Sequence, residues 1–227
     1  MATGGRSLPP IFFAGFVTNW IPLDPIAPAP EVVSSLAARL RAGAVLAIPT
    51  DTIYGLAAHA CDAAAVERIF AIKGRAEDKP LPVLVSGLSQ AEALAAWLPP
   101  AFTPLAAAFW PGPLTLVLPA RPGLPSQLLA GGASVAVRWP AAAIAQALLA
   151  ACGFPLTATS ANRSGQPGCR SAAEVEAQLG ARVDGIVDGG PAPAALPSTL
   201  LDLTGPVPRL LREGAVPQAA LRPWLEA

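Results

Sequence analysis

Short apolar runs alternate with polar breaks along the chain, and their spacing sets out helices and strands in turn. Val32, Val33, Leu36 and Leu40 recur at near-helical spacing over 31–42, with Gly43 as a stop. The apolar run over 44–48 then reads as a buried strand. Asp62 precedes Val66, Ile69, Phe70 and Ile72, the pattern of an N-capped helix that delivers Lys73 and Arg75 at its exit. A second buried strand is expected over 81–85. Ser89 with Glu92, and later Ser171 with Glu174, have capping-box spacing; the first helix should run to about residue 97. Strands are expected near 114–118, 135–137, 156–159, 185–187, 199–203 and 209–211, and a helix near 141–151. Such interleaving predicts an α/β class with a mostly buried sheet.

The break after the first strand stands out. Pro49 stops the apolar run, and Thr50, Asp51, Thr52 and Tyr54 follow before Gly55 and Leu56 restore it. A buried strand that ends by presenting hydroxyls and a carboxylate suits a small polar ligand, because loops at the carboxyl ends of strands carry chemistry on a rigid base. Alone, the same loop is equally a plain strand-to-helix turn.

Composition narrows the class. The 227 residues are 53% hydrophobic and 13% charged, enough to bury one large core and too apolar for general disorder. The 27 prolines and 20 glycines punctuate elements without forming a repeat. A formal net charge of zero argues against a broad nucleic-acid surface, though not against a local basic cleft. Cys61, Cys152 and Cys169 are odd in number and far apart, which suits free thiols in a reducing compartment. With His59 the sole histidine and no C-x-x-C pair, a zinc site or histidine base is disfavoured. No apolar run approaches the roughly 20 residues of a membrane span. Residues 1–30, rich in proline after a short apolar patch over 11–17, read as an extension lying on a domain of 31–227; a signal peptide fits less well.

Further polar motifs follow in order. They are Lys73-Gly74-Arg75 with Lys79-Pro80-Leu81, Trp110-Pro111-Gly112-Pro113-Leu114-Thr115, and Val135-Ala136-Val137-Arg138. Then come Ser160-Ala161-Asn162-Arg163-Ser164-Gly165, Asp188-Gly189-Gly190-Pro191, Ser198-Thr199 and Leu211-Arg212-Glu213-Gly214. Together with the Pro49 loop, this series resembles the YrdC-type family of L-threonylcarbamoyladenylate synthases over roughly residues 31–216. The resemblance implies a twisted mixed sheet flanked by helices, with a deep concave cleft. It also implies the joining of L-threonine, bicarbonate and ATP into threonylcarbamoyl-AMP with release of pyrophosphate. That product would feed modification of the adenosine next to the anticodon of certain tRNAs, through transient contact with other tRNA-modifying proteins in the cytoplasm. Magnesium would accompany ATP, with no protein ligand assigned.

Such a reaction crowds several anions together, so it calls for fixed cations and catalysis by positioning. By resemblance Arg75 and Lys79 contact the nucleotide and Lys73 its phosphates, Lys73 and Arg75 being the catalytic pair. The alternative for this cluster is a solvated basic helix end favoured by the macrodipole. Arg138 would clamp the threonine carboxylate, a task that suits the planar guanidinium. Its alternative is an ion pair with an internal Asp, since a guanidinium ending a buried strand is costly unpaired. Thr52 and Ser198 would help to hold threonine. Ser134, Ser160, Asn162 and Arg212 would hold ATP, with Asn162 supporting the loop, unless 160–165 is only a turn with local bonds. No base is available to make a serine nucleophilic.

Three features depart from the pattern. Gly168 and Cys169 stand where many relatives carry hydroxyls, Leu84 where some carry histidine, and 192–197 is rich in Ala and Pro where glycine is common. Gly168 and Cys169 would cost a side-chain contact to ATP, and Leu84, with the end at Ala227, points to the shorter, single-domain subtype. Two other readings are open: a carbamoyl-adenylate-forming enzyme of the hydrogenase-maturation type, and a non-enzymatic RNA-binding module, which the charge balance disfavours.

Overall fold

Val33, Leu36 and Leu40 are buried along one side of the first helix because their spacing keeps them on a single face. The computed structural model describes residues 19–74, 79–193 and 196–225. Arg75 lies outside the described residues. The chain enters through strand β1 (Trp20–Pro22) and helix α1 (Pro30–Arg41), whose Pro30 fills a first-turn position that needs no N–H donor. Strands β2 (Leu46–Ile48) and β3 (Gly55–Ala57) flank the Pro49 loop. Helix α2 (Ala63–Lys73) starts as expected: the Asp62 carboxylate accepts from the Ala64 and Ala65 N–H groups. Gly74, with φ of 59°, ends it in the left-handed conformation.

After β4 (Val83–Leu84) come α3 (Leu88–Leu94), α4 (Phe102–Phe109), β5 (Leu114–Pro119) and β6 (Ser134–Arg138). Next are α5 (Ala143–Cys152), β7 (Leu156–Thr157), β8 (Thr159–Ser160) and α6 (Ala172–Leu179). The last elements are β9 (Gly185–Asp188), β10 (Thr199–Asp202), β11 (Arg209–Arg212) and α7 (Gln218–Leu225).

Several expectations need correction. Ser89 and Glu92 form no capping box: α3 begins after Gly87 without a side-chain cap, and the Gln90 side-chain oxygen Oε1 instead accepts from the Ser86 N–H. That helix ends at Leu94, short of residue 97. Ser171 does cap α6, accepting from the Glu174 N–H, while the Glu174 carboxylate reaches back to Arg170. Strands expected over 44–48 and 81–85 shrink to β2 and β4, although just beyond them the Val45 carbonyl accepts from the Asp184 N–H and the Val85 N–H donates to the Arg138 carbonyl. Within the segment expected to be an extension, β1 pairs in parallel with β9, and Leu23 is buried.

The strands form two mixed sheets, not one. Their orders are β1-β9-β2-β3-β8 and β11-β10-β5-β6-β4-β7. The strand expected over 156–159 splits between them: β7 pairs β4 in the second sheet, and β8 pairs β3 in the first. Thr157 helps to join the sheets, its N–H donating to the Ala58 carbonyl and its hydroxyl to the Leu56 carbonyl.

Both faces of β2 are covered. Leu46 and Ile48 pack with α1 and α5, whereas Ala47 joins the core that holds Val66, Ile69 and Phe70 of α2. Each buried Leu, Ile, Val or Phe among these contributes about 1.5–3 kcal/mol by leaving water. The result is a rigid base beneath the loops after β2, β6 and β8.

Candidate active site

The turn after β2 is shaped by its own hydroxyls. Thr50 Oγ1 accepts from the Thr52 N–H at 3.1 Å and donates to the Ile53 carbonyl at 2.7 Å. That donation uses the only Thr50 hydroxyl proton, so across the 3.0 Å contact between the two hydroxyls Thr52 donates to Thr50. Thr52 Oγ1 is left to accept from Arg138 Nη1 at 3.0 Å. The polar chain therefore runs Arg138, Thr52, Thr50, Ile53, each bond polarising the next.

Arg138 ends β6, is 5% exposed, and sits opposite Leu84 of β4 in the ladder. Its Nε donates to the Gly112 carbonyl at 2.9 Å, which gives the Trp110–Thr115 motif a role in holding the guanidinium. Nη2 lies 2.5 Å from Asp51 Oδ1. This is a charge contact without hydrogen-bond alignment: neither Asp51 oxygen nor Nη2 has an acceptable hydrogen-bond partner, and all three atoms are buried. Burial pulls the Arg138 pKa down, and the Asp51 charge opposes that pull. The internal ion pair considered as the alternative for Arg138 is thus present.

Arg138 faces a pocket of about 350 Å³ that is also lined by Lys79, Ser160, Ser198, Arg212 and Thr115. Ser198, just before β10, meets Thr115 Oγ1 through its hydroxyl at 2.7 Å. Arg212 Nη2 donates to the Ser198 carbonyl at 2.7 Å. Gly214 makes that approach possible, because a Cβ there would stand 2.3 Å from the Pro197 carbonyl oxygen. Arg212 is exposed by area, but its guanidinium is shielded where it meets Ser198. That desolvation, and then the Arg138 charge, lowers its pKa.

The turn after β8 is held from beneath. Lys73, 4% exposed, donates from Nζ to the Ser160 carbonyl, to the Asn162 carbonyl at 2.9 Å and to Asn162 Oδ1 at 3.1 Å. Ser160 Oγ donates to Asn162 Oδ1, and Asn162 Nδ2 donates to the Arg163 carbonyl at 3.0 Å and the Gln166 carbonyl at 2.5 Å. The structure therefore brings Lys79, Arg138, Ser160, Ser198 and Arg212 to one pocket, with Thr52 directly behind Arg138. Asn162 and Lys73 lie behind Ser160, bound into its turn. Ser134 does not join them: it begins β6, pairs with Pro119, and lies four strand residues, roughly 13 Å, from Arg138.

Sequence reasoning left out Thr115 and Asp51 as site residues. Thr115 is the polar interruption in the apolar run of β5, a signal that was present. Asp51 belonged to the singled-out loop, but its partner lies far along the chain.

His59 stacks on Phe154 with ring centroids 3.8 Å apart, and burial lowers its pKa, in keeping with a structural role. Cys169 is buried, its carbonyl accepting from the Tyr54 N–H, and burial pushes its thiol up to about 11. Among the described residues no group of three or more His, Cys, Asp or Glu is placed to hold a metal ion. At Arg138 the near carboxylate is Asp51, already against a guanidinium, so these residues do not fit a magnesium cage.

A family model for the Sua5/YciO/YrdC domain, described as telomere recombination, matches residues 38–214. The chain belongs to the Sua5/YciO/YrdC family. Family members named threonylcarbamoyl-AMP synthase include one from Bacillus subtilis, 42% identical over 185 residues, which span 81% of this chain and 54% of that protein. Another, from Alkalilimnicola ehrlichii, is 42% identical over 174 residues, spanning 75% of this chain and 90% of its own. A crystal structure of Pyrococcus abyssi Sua5 complexed with L-threonine superposes with a TM-score of 0.88 at 39% identity, covering 92% of this chain and 61% of that one. The chain thus spans about half the length of the Bacillus relative, and likewise 52% of the Pyrococcus one. Among the described residues no helix is long and apolar enough to cross a membrane.

Proposed function

We propose that this chain forms threonylcarbamoyl-AMP and pyrophosphate from L-threonine, bicarbonate and ATP. The observation that carries the reading is the convergence of Arg138, Arg212, Lys79, Ser160 and Ser198 on one pocket. Family membership and the L-threonine complex of the Pyrococcus relative support it.

In this reading Arg138 takes the amino-acid carboxylate, steadied by Gly112 and Thr52, and the hydroxyl pair Thr115–Ser198 lines the amino-acid side. The threonine amine adds carbon dioxide with loss of a proton, or condenses with bicarbonate with loss of water, to give a carbamate whose oxygen attacks the α-phosphorus. The P–O bond to the β-phosphate breaks as pyrophosphate leaves. Arg212 and Lys79 neutralise phosphate charge, together with Arg75. Ser160 lines the nucleotide side from a turn that Lys73 and Asn162 keep rigid, so these two act by positioning. Magnesium would be carried by phosphates and water. The adenylate would pass to tRNA-modifying proteins, and the pocket would be the inner part of the catalytic cleft.

Pyrophosphate release with each substrate omitted in turn tests the proposal. Release should vanish without threonine or without bicarbonate. Turnover that ignores threonine and uses carbamoyl phosphate would assign the carbamoyl-adenylate chemistry instead. Salt-dependent RNA binding without ATP would favour the binding module.

A further inference from the structure

The Asp51–Arg138 pair spans two pockets. Arg138 lines the polar one described above, and Asp51 lines a second, of about 410 Å³, walled by Ile26, Pro49, Ala143, Ile144 and Pro191. Nε and Nη1 of Arg138 are engaged by Gly112 and Thr52, and Nη2 is buried against Asp51. A ligand carboxylate that grips the guanidinium with two parallel bonds needs Nη2. It cannot reach Nη2 while Asp51 stays in place. The pair itself is poorly bonded, since three buried polar atoms lack aligned partners, and such atoms gain from any rearrangement that supplies them.

We propose that Asp51 is an internal placeholder for the substrate carboxylate: it neutralises Arg138 in the ligand-free chain and is displaced into the second pocket when a carboxylate ligand binds. The inference rests on the assignment of Arg138 to an amino-acid carboxylate. Exchange of one carboxylate for another keeps the buried guanidinium paired throughout, and the released Asp51 carboxylate reaches water through the open second pocket. It also makes affinity a difference between two similar ion pairs, so the site binds a carboxylate less tightly than its charge alone would dictate. Asp51 is a positioning residue, acting on the substrate through Arg138.

Two variants test this by calorimetric titration of L-threonine and, separately, ATP. Asp51→Asn keeps the shape and removes the competing charge; threonine affinity should rise roughly 5- to 30-fold with ATP affinity unchanged. Ala143→Leu narrows the second pocket and keeps the ion pair; threonine affinity should fall about 5-fold, again without an effect on ATP. Equal or weaker threonine binding by folded Asp51→Asn overturns the proposal, because Asp51 then serves the ligand or the fold. Should Asp51→Asn not fold, unchanged threonine binding by Ala143→Leu overturns it. If the wild-type chain binds no threonine, the functional reading fails on its own. The placeholder is then tested with propionate, which should raise the melting temperature of Asp51→Asn more than that of the wild type. An equal rise rejects it.

Discussion

The ammonium of Lys73 meets the carbonyl oxygen of Asn162 at 2.9 Å, across 89 residues of sequence. It ties the end of α2 to the turn after β8, and so fixes the Ser160 edge of the pocket from beneath. Lys73→Met should leave the Ser160 and Asn162 carbonyls without this donor, at about 1–3 kcal/mol for each buried acceptor. At roughly 2–4 °C per kcal/mol for a chain of this size, thermal unfolding should shift down by several degrees. An unchanged melting temperature would show that the turn holds without Lys73.

Gly214→Ala should be destabilising out of proportion to its size. The added methyl meets backbone at Pro197 and Ser198, which cannot rotate away as a side chain can. Overpacking of this kind costs about 1–3 kcal/mol and would push Ser198 from Arg212. Thermal unfolding together with ATP titration checks it; a variant with wild-type values in both would mean that the 197–198 backbone yields freely.

Arg138→Lys should harm threonine use far more than ATP use. Lysine keeps the charge but cannot serve Gly112, Thr52 and a carboxylate at once. Loss of one charge-assisted bond costs about 1.5–3 kcal/mol, or roughly 10- to 150-fold in affinity. Titration of each ligand is the measurement, and equal losses for both would dissolve the division into subsites.

Stability should fall as the solution turns alkaline. Burial first of all raises Cys152 and Cys169 from 9.0 to about 11, Glu174 adding to the rise at Cys169 while Arg41 opposes it at Cys152. Below about pH 9 both thiols are protonated in either state and the effect is nil. Between about 9 and 11 the unfolded chain loses protons that the folded chain keeps, so unfolding is favoured as pH rises. Urea midpoints at about pH 8 and about pH 10.5 measure the drop, which Cys152→Ala with Cys169→Ala should flatten.

The clearest sequence signals were those where several local cues agreed. Asp62, the apolar spacing after it and Gly74 each point to the same helix, and α2 forms between them. The segment 156–160 carried no turn residue to announce its split, which arises because β4 and β3 compete for one run of backbone. Ser89 and Glu92 had capping spacing, yet Gly87 supplied the entry and Gln90 the side-chain bond. At the site, a cluster of cations was readable as such, whereas their partners were not. Lys73 is turned inward by carbonyls, and Arg138 is answered by an aspartate from another strand's loop, relations that only the assembled sheets create.

The passage of the chain from one sheet to the other around Ala158 has a mechanical consequence. The backbone of 158–160 lines the pocket while β7 and β8 anchor it in different sheets. Ser160 is therefore indexed to both sheets at once: a shift of one sheet against the other would have to be taken up by backbone rotation at 158–160 and would be felt at the pocket wall. The three residues that face the guest are thus also the coupling between the two layers, so the pocket reports on how the layers sit.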